Sequence, residues 1–306
     1  MAKTIAFFVR NVDANKYPFS VRDLYYHSYQ EYLLAIKRAG ADAYFVTDNA
    51  TYNGAGSFSR AFTITQVSEV EDFITVGEIK ADVVFEKGGF SGRDIAIVTD
   101  PKLYPLISDK AAIYQKFAQY QPKSVLCANL EAVLEAVQHM PGEMVVVKNP
   151  VSSGGRQVYI AKKSEITIPG DETYPLIVQE FVDMSGGIPG IAPGVHDVRV
   201  LLTGSEIIGA TLRQPPDGGL HANVSKGGTE RLLSRLEIPR EVLEMARAID
   251  RQLDDLPRYY AIDFALGKHG WVLIELNTRP GLFRHDNGPL AQDFMNSFAE
   301  YIVRLP

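Results

Sequence analysis

The chain has 306 residues, of which 46% are hydrophobic, with a net charge of −6 and a pI near 5.6. This length favours two or three compact units with substantial cores. No long run of lysine or arginine is present, which argues against an extended nucleic-acid surface and leaves a small anionic substrate compatible. The single cysteine, Cys127, excludes an intrachain disulfide and a cysteine metal cluster, and it predicts a reducing, cytoplasmic location.

The N-terminal sequence MAKTIAFFVRNVD has an apolar core of five residues and no cleavage pattern after it, so it predicts a strand and not a signal peptide. No stretch approaches the roughly 18 apolar residues that a membrane helix requires. We therefore expect no membrane partner.

The first third of the chain has the pattern of a parallel α/β unit. Strands are predicted at 4–9, 43–47, 81–88 and 95–100, and a helix at 31–40. The loops 11–26 and 49–60 are longer than a small open sheet needs, and they are either substrate loops or solvated connections. Neither a dinucleotide fingerprint nor a GxxxxGK[ST] loop occurs, so a nucleotide must be held in another way.

The stretch 259–281, YYAIDFALGKHGWVLIELNTRPG, predicts two apolar strands around a tight turn. A three-residue loop at 268–270, with its glycine in the left-handed conformation, places Asp263 opposite Glu275, and Asn277 then points to the same face. A carboxylate in such an apolar run is costly unless a cation compensates for its lost hydration. Hard oxygen ligands suit Mg²⁺, which binds phosphates. The alternative is a polar hairpin end with unrelated carboxylates.

This pattern resembles the magnesium-binding end of ATP-grasp ligases, in the branch that contains glutathione synthetase and the ligases that add glutamate to a ribosomal protein. The matching residues are Asp263, Glu275, Asn277, Pro280 and Gly281. The resemblance covers about residues 108–290 and implies an α/β ATP-grasp fold with an α+β lid, preceded by an open parallel α/β domain. The implied boundaries are 1–107 for the N-terminal domain, 108–183 for the central lid and 184–306 for the C-terminal subdomain with the metal hairpin.

The same resemblance implies an ATP site. Lys110 begins the predicted helix 108–120, and Lys148 closes an apolar strand where its ammonium needs an anionic partner. The small-residue loop that follows lets the backbone approach phosphate oxygens, although a flexible hairpin turn is the alternative. Asn149 departs from the family, which usually has proline directly after this lysine. The implied cofactor-binding residues are Lys110, Lys148, Ser153, Gly154, Gly155, Glu180, Phe181, Val182 and Asp183, of which 180–182 form the adenine hinge and Asp183 meets the ribose.

The implied catalytic residues surround the transferred phosphate. Arg199 and Arg213 fall at equivalent ends of a hairpin predicted at 196–214, and Asn223 and Lys226 follow it. The planar guanidinium groups suit oxyanions. The alternative is a solvated basic rim.

The implied function is ATP-dependent ligation of a carboxylate to an amine through an acyl phosphate, with Mg²⁺, or Mn²⁺ in its place, as the metal. The implied partners are small-molecule carboxylate and amine substrates, with a peptide or protein terminus as a further acceptor, and a homodimer stays open. Substrate contacts are expected from the N-terminal loops and from Arg279, Arg284 and His285. The rival functions are a kinase on the same fold and a nucleotide sensor without turnover.

Overall fold

The structure is a computed structural model. Its first sheet occupies the N-terminal third of the chain. The structure describes residues 2–9, 24–65, 72–152, 157–216, 219 and 227–306. The strands of this sheet are β1 (Thr4–Phe8), β2 (Asp42–Val46), β5 (Ala61–Thr65), β6 (Asp72–Val76), β8 (Val83–Glu86) and β9 (Ala96–Ile97), in the order β6-β5-β2-β1-β8-β9. The four strands from β2 to β9 in this order are parallel, which confirms the predicted parallel unit, and β5 and β6 add an antiparallel edge.

Different layers cover the two faces of this sheet. On one face lies α1 (Leu24–Arg38), which begins earlier than the predicted 31 and buries Tyr32 and Leu33 against Phe7. On the other lies a small sheet of β3 (Tyr52–Gly54), β4 (Ser57–Phe58) and β7 (Ile79–Lys80), with Phe58 and Phe90 fully buried. The segment 49–60 is therefore folded and not simply a solvated connection.

The second unit is a four-stranded antiparallel sheet with one helix. It contains β10 (Ser124–Cys127), β11 (Met144–Lys148), β12 (Val158–Lys162) and β13 (Leu176–Glu180), in the order β10-β13-β11-β12, and α4 (Leu130–His139). The predicted strand–loop–strand at 144–163 is confirmed. In α4, Val133 and Val137 pack on the sheet, and the side chain of Asn129 caps the first turn by accepting from the amide of Ala132.

The third unit is a five-stranded antiparallel sheet. It contains β14 (Asp197–Thr203), β15 (Glu206–Gln214), β16 (Thr229–Leu233), β17 (Tyr259–Gly267) and β18 (Gly270–Asn277), in the order β16-β15-β14-β17-β18. The short α2 (Tyr104–Ile107), α3 (Lys110–Phe117) and α5 (Arg240–Asp250) cover one face, and α6 (Pro289–Arg304) covers the other. The domain boundaries stay a prediction, and α3 packs with the core of this sheet.

The glycine-rich segment 184–194 is also packed into that core. Ile188 and Ala192 are buried and form a β-bridge. Gly187 has φ +70°, and a Cβ there would lie 2.4 Å from the carbonyl oxygen of Ala192. A glycine is therefore required at this turn. None of the helices in the described part of the chain combines the length and the apolar character needed to cross a bilayer.

The last helix joins the first and third sheets. Phe298 of α6 is fully buried, and its ring lies 5.0 Å from that of Phe85, 5.6 Å from Tyr32 and 5.1 Å from Tyr259. These rings belong to β8 of the first sheet, to α1 and to β17 of the third sheet, so one side chain contacts both sheets and a helix. The relative position of the two sheets depends on this aromatic cluster.

We expect Phe298→Ala to lower the free energy of unfolding by about 3–5 kcal/mol, because the variant loses apolar burial and leaves a cavity. Urea denaturation measures the effect. The control is Leu236→Ala, at a side chain that is 99% exposed, which should change the stability by no more than about 0.5 kcal/mol. Equal urea midpoints for the two variants would contradict the assigned packing.

Candidate active site

One buried carboxylate organises the site. Asp263 on β17 lies directly opposite Arg199 on β14 and opposite Glu275 on β18. Its Oδ1 accepts from Arg199 Nε at 2.7 Å, and its Oδ2 accepts from Arg199 Nη2 at 2.7 Å and from Arg213 Nη2 at 2.8 Å. Arg213 also makes a bidentate pair with Asp197, at 2.6 and 2.7 Å. Four charges on three neighbouring strands thus form one network.

At neutral pH the Asp263 carboxylate and the two guanidinium groups are charged, whereas burial raises the pKa of Asp197 to about 7, although Arg213 opposes this. Burial alone would raise the pKa of Asp263, but Arg199 and Arg213 outweigh burial and hold that pKa at about 2. Each guanidinium uses Nε and Nη2 in these pairs, and in the described part of the chain Nη1 of each has no hydrogen-bond partner. Two donors are therefore left for an anion.

The hairpin reaches the predicted register in a different way. Gly267 pairs with Gly270, so the loop has two residues and not the predicted three. A bulge between Asp263 and Phe264 then supplies the missing residue, and Asp263 lies opposite Glu275 as predicted. The predicted loop is one residue too long and the bulge was not predicted. These two errors compensate for each other, so the predicted pairing of Asp263 with Glu275 is correct.

Oxygen donors of the type that Mg²⁺ prefers lie along this hairpin. Glu275 has a side chain that is 33% exposed, and among the described residues its nearest cation is the Lys110 ammonium at 4.0 Å. The Asn277 Oδ1 accepts from the amide of Arg279 at 2.9 Å and keeps a second lone pair. Among the described residues no group of three His, Cys, Asp or Glu side chains could hold a metal. The donors Asp263, Glu275 and Asn277 fit Mg²⁺ by their chemistry, with the amide oxygen as the third donor.

Two lysines lie near the half-buried carboxylate of Glu275. Lys148, at the end of β11, is buried, and its ammonium donates to Gln179 Oε1 at 2.8 Å. Burial, and then the positive charge of Lys110, lower the pKa of Lys148 to about 8, although Glu275 opposes this. Burial also lowers the pKa of Lys110, whose ammonium donates to the carbonyl of Ser152. Two poorly compensated ammonium groups beside an acidic side chain suit a polyphosphate with a metal ion.

The departure from the family pattern at Asn149 has a structural use. Its Oδ1 accepts from the amide of Val151 at 3.0 Å, and its Nδ2 donates to Thr173 Oγ1 at 3.3 Å. The amide of Lys110 donates to the carbonyl of Pro150 at 3.0 Å, which ties the start of α3 to this loop.

Five predicted site residues lie outside the described residues, and their roles stay predictions: Ser153, Gly154, Gly155, Asn223 and Lys226.

The predicted adenine hinge, 180–182, and Asp183 after it lie against the end of the hairpin of β17 and β18. The amide of Glu180 donates to the carbonyl of Lys123 at 2.8 Å, so the backbone groups after it are the ones left for a ligand. Val182 packs so closely on Gly267 that a Cβ there would lie 2.7 Å from Val182 Cγ1. The aspartate that follows is exposed. The hinge and the metal hairpin are therefore neighbours.

A second buried carboxylate lies at the end of β8. Glu86 accepts from Arg279 Nη2 at 2.7 Å and from the Tyr104 hydroxyl at 3.1 Å, and the guanidinium lies over the tyrosine ring, 5.2 Å from its centroid. Arg279, expected to contact substrate, is thus held by protein groups but is still 39% exposed. Arg284 pairs with Asp286 at 3.1 Å. The side chain of His285 lies outside the described residues.

Sequence reasoning missed Glu86 and also Asp197, the partner of Arg213. Glu86 ends the apolar run ADVVFE. It therefore meets the criterion that singled out Glu275, a carboxylate in an apolar strand that requires a partner. For Asp197 the signal was its place opposite Arg213 in the hairpin of β14 and β15.

A four-stranded antiparallel sheet and a five-stranded antiparallel sheet, whose hairpin carries Asp263, Glu275 and Asn277, are the arrangement expected of the ATP-grasp class. A model of the RimK-like ATP-grasp domain matches residues 108–294. The chain belongs to the RimK-like ATP-grasp family, and the predicted family and fold are confirmed.

Curated proteins similar to this chain include probable alpha-L-glutamate ligases. That of Vibrio atlanticus is 25% identical over 166 residues, which are 53% of this chain and 51% of that protein. That of Trichodesmium erythraeum is 27% identical over 147 residues, 46% of this chain and 44% of that protein. The chain thus matches about half the length of these curated relatives.

Solved structures resemble the whole chain in fold. A RiPP-associated ATP-grasp ligase of Chryseobacterium gregarium, in complex with ADP and a leader and core peptide, has a TM-score of 0.61 at 12% identity, covering 99% of this chain and 98% of that one. D-alanyl-alanine synthetase A from Vibrio cholerae has a TM-score of 0.61 at 13% identity, covering 99% and 97%.

We expect Lys148→Met to weaken Mg·ATP binding at least about tenfold, because a charged hydrogen bond contributes roughly 1.5–3 kcal/mol. The same variant should unfold at an equal or higher temperature, since it removes a buried charge whose side-chain partner is a neutral amide. Calorimetric titration and thermal unfolding measure the two effects. The control is Lys116→Met, at an exposed position of α3, and a Lys148→Met protein with normal ATP affinity would disprove the assignment.

Proposed function

We propose that this protein is an ATP-dependent ligase that joins a carboxylate to an amine through an acyl phosphate and releases ADP and phosphate. The observation that carries the proposal is the convergence of Lys110 and Lys148 on Glu275, with the arginine pair of Asp263 beside it. Such a site offers positive charge and positioning, which is what phosphoryl transfer needs from a protein. Membership of the RimK-like ATP-grasp family supports the same reaction class.

The nucleotide is placed between the two antiparallel sheets. Lys110 and Lys148 contact its phosphates, and the backbone amides of Ser153, Gly154 and Gly155 are assigned to the same phosphates. The hinge residues Glu180, Phe181 and Val182 hold the adenine, and Asp183 holds the ribose. This assignment rests on the lysine geometry and on the closeness of the hinge to the metal hairpin.

The metal ligands are proposed to be Asp263, Glu275 and Asn277. Mg²⁺ bound there supplies positive charge to the phosphate oxygens. Arg199 and Arg213 keep Asp263 ionised and in place, so this carboxylate presents a fixed negative charge. Glu275, which has no arginine partner among the described residues, is the ligand with the most freedom to move toward a metal.

The transfer proceeds in two displacements. An oxygen of the substrate carboxylate attacks the γ-phosphorus of ATP, and the bond from that phosphorus to the β–γ bridging oxygen breaks, so ADP leaves. The amine then attacks the acyl carbon, loses a proton to solvent, and phosphate leaves with the original carboxylate oxygen. Arg199 and Arg213 donate through Nη1 to the anion, with Asn223 and Lys226 assigned to the same phosphate.

The substrates are proposed from the relatives. The name alpha-L-glutamate ligase points to L-glutamate as a substrate, and the peptide in the Chryseobacterium complex points to a peptide as the other. A cytoplasmic location belongs to the same proposal and is supported by the single, buried cysteine.

The reaction is tested with a peptide or amino acid whose carboxylate oxygens carry a heavy isotope. We expect carboxylate-dependent ADP release, trapping of a hydroxamate by hydroxylamine, and one labelled oxygen in the released phosphate. A phosphorylated product that stays stable would identify a kinase, and nucleotide binding without ADP release would identify a sensor. Amide formation with unlabelled phosphate would disprove the acyl phosphate.

The metal assignment is tested with Glu275→Gln. We expect ADP release to fall roughly a thousandfold, because charge stabilisation by a metal contributes several kcal/mol and each 1.36 kcal/mol is tenfold in rate. The control is Glu165→Gln at an exposed position. Near-normal ADP release by Glu275→Gln, with thermal unfolding unchanged, would show that Glu275 is not a ligand.

A further inference from the structure

The parallel sheet of the N-terminal domain has a crevice at its carboxyl edge. After β1 the chain passes through α1 to β2 on one side, and it later returns to β8 on the other side of β1. The connections that follow the neighbouring strands β1 and β8 run in opposite directions, and this opens a crevice beyond the carboxyl ends of these two strands. Ligands of open α/β sheets bind in such a crevice. Val9 directly follows β1 and Lys87 directly follows β8.

A cavity occupies this crevice. It has a volume of about 290 Å³ and is lined by Val9 and Lys87, by residues of α1 and by 281–283, which connect the metal hairpin to α6. Tyr32 of α1, whose side chain is buried, also lines it. A space of this size holds an amino-acid-sized group.

Among the described residues, the charge in this cavity has no carboxylate to compensate it. The Lys87 ammonium donates to the carbonyl of Pro280 at 2.5 Å, and among the described residues no carboxylate pairs with it. Its charged neighbours are Arg199 and Arg279, which have their own partners. Burial, followed by these two cations, lowers the pKa of Lys87 to about 8, so the ammonium is still mostly charged at neutral pH. A half-buried ammonium without a carboxylate partner among the described residues is suited to bind an anion.

We propose that this cavity binds a carboxylate of an amino acid or of a peptide C-terminus, with the Lys87 ammonium as its cationic partner, and that Lys87 thereby determines substrate specificity. The proposal rests on the ligase function proposed above and adds a residue and a ligand class to it.

The carboxylate at Lys87 is not the one that is phosphorylated. The charged neighbours of Lys87 are arginines, whereas the lysines assigned to ATP lie beside Glu275. Arg199 is a charged neighbour of Lys87 and also pairs with Asp263 of the metal hairpin, so it connects the two places. The substrate would thus be held at one end by Lys87 while its other end reaches the phosphate.

Binding without turnover tests this inference. Wild type, Lys87→Met, Lys87→Arg and the exposed control Lys80→Met are screened by thermal shift with Mg²⁺ and a non-hydrolysable ATP analogue. The probes are the twenty L-amino acids and tripeptides with free C-termini. Each ligand found is then titrated by calorimetry beside its C-terminal amide.

We expect a carboxylate ligand that binds wild type and Lys80→Met equally, binds Lys87→Met at least about tenfold more weakly, and recovers part of its affinity in Lys87→Arg. Its amide should bind wild type as weakly as the carboxylate binds Lys87→Met, and the affinity for the ATP analogue should be the same in all four proteins. A purely structural role at Pro280 would weaken the acid and the amide alike, and this result would overturn the proposal. No ligand for wild type, or equal binding by Lys87→Met, would overturn it as well.

The activity and the binding measured for Lys87→Met distinguish a failure of this inference from a failure of the proposed ligase function. Normal hydroxamate trapping with an unchanged KM in Lys87→Met would remove the role of Lys87 and leave the ligase. Carboxylate binding that depends on Lys87, in a protein that never releases ADP, would leave the binding site and remove the ligase.

Discussion

The buried carboxylate of Asp263 is the constraint on which the site depends. It lies in the middle of a sheet core, where it is tolerated only because Arg199 and Arg213 donate to both of its oxygens. Removal of one partner from such a pair is strongly destabilising, since it leaves an uncompensated charge. The ion pairs therefore hold three strands in one register and, by the same contacts, aim the remaining guanidinium donors at the position proposed for the transferred phosphate.

The part of the site around Lys87 depends on how the first sheet is attached to the metal hairpin. The chain that leaves the metal hairpin passes the end of β8, where Glu86 binds Arg279 and Lys87 binds the carbonyl of Pro280. It then enters α6, whose Phe298 packs between the two sheets. The distance between the proposed carboxylate pocket and the metal hairpin is thus set by a packed aromatic core and two charged contacts.

The sequence could predict what is local and not what joins distant strands. Alternation and an apolar run placed Asp263 opposite Glu275, and a bulge compensated for the wrong loop length. The pairing of Arg199 with Asp263 joins strands more than sixty residues apart, and no local pattern specifies that neighbour. The strand β10 was missed because its two middle residues are exposed, which breaks the alternation on which strand prediction depends. The capped, amphipathic α4 carried a readable signal that was not used.

The lysines and the arginines of the site have different physical roles. Arg199 and Arg213 stay charged under all conditions and are neutralised by carboxylates of the protein, so they serve as a fixed frame. Lys87 and Lys148 are held in surroundings that disfavour their charge, and each has only a neutral oxygen as its hydrogen-bond acceptor in the described structure. An anion that binds them gains attraction without displacing a carboxylate of the protein. The free energy lost when these ammonium groups are buried is therefore recovered on binding, which couples the stability of the fold to the occupancy of its two proposed anion sites.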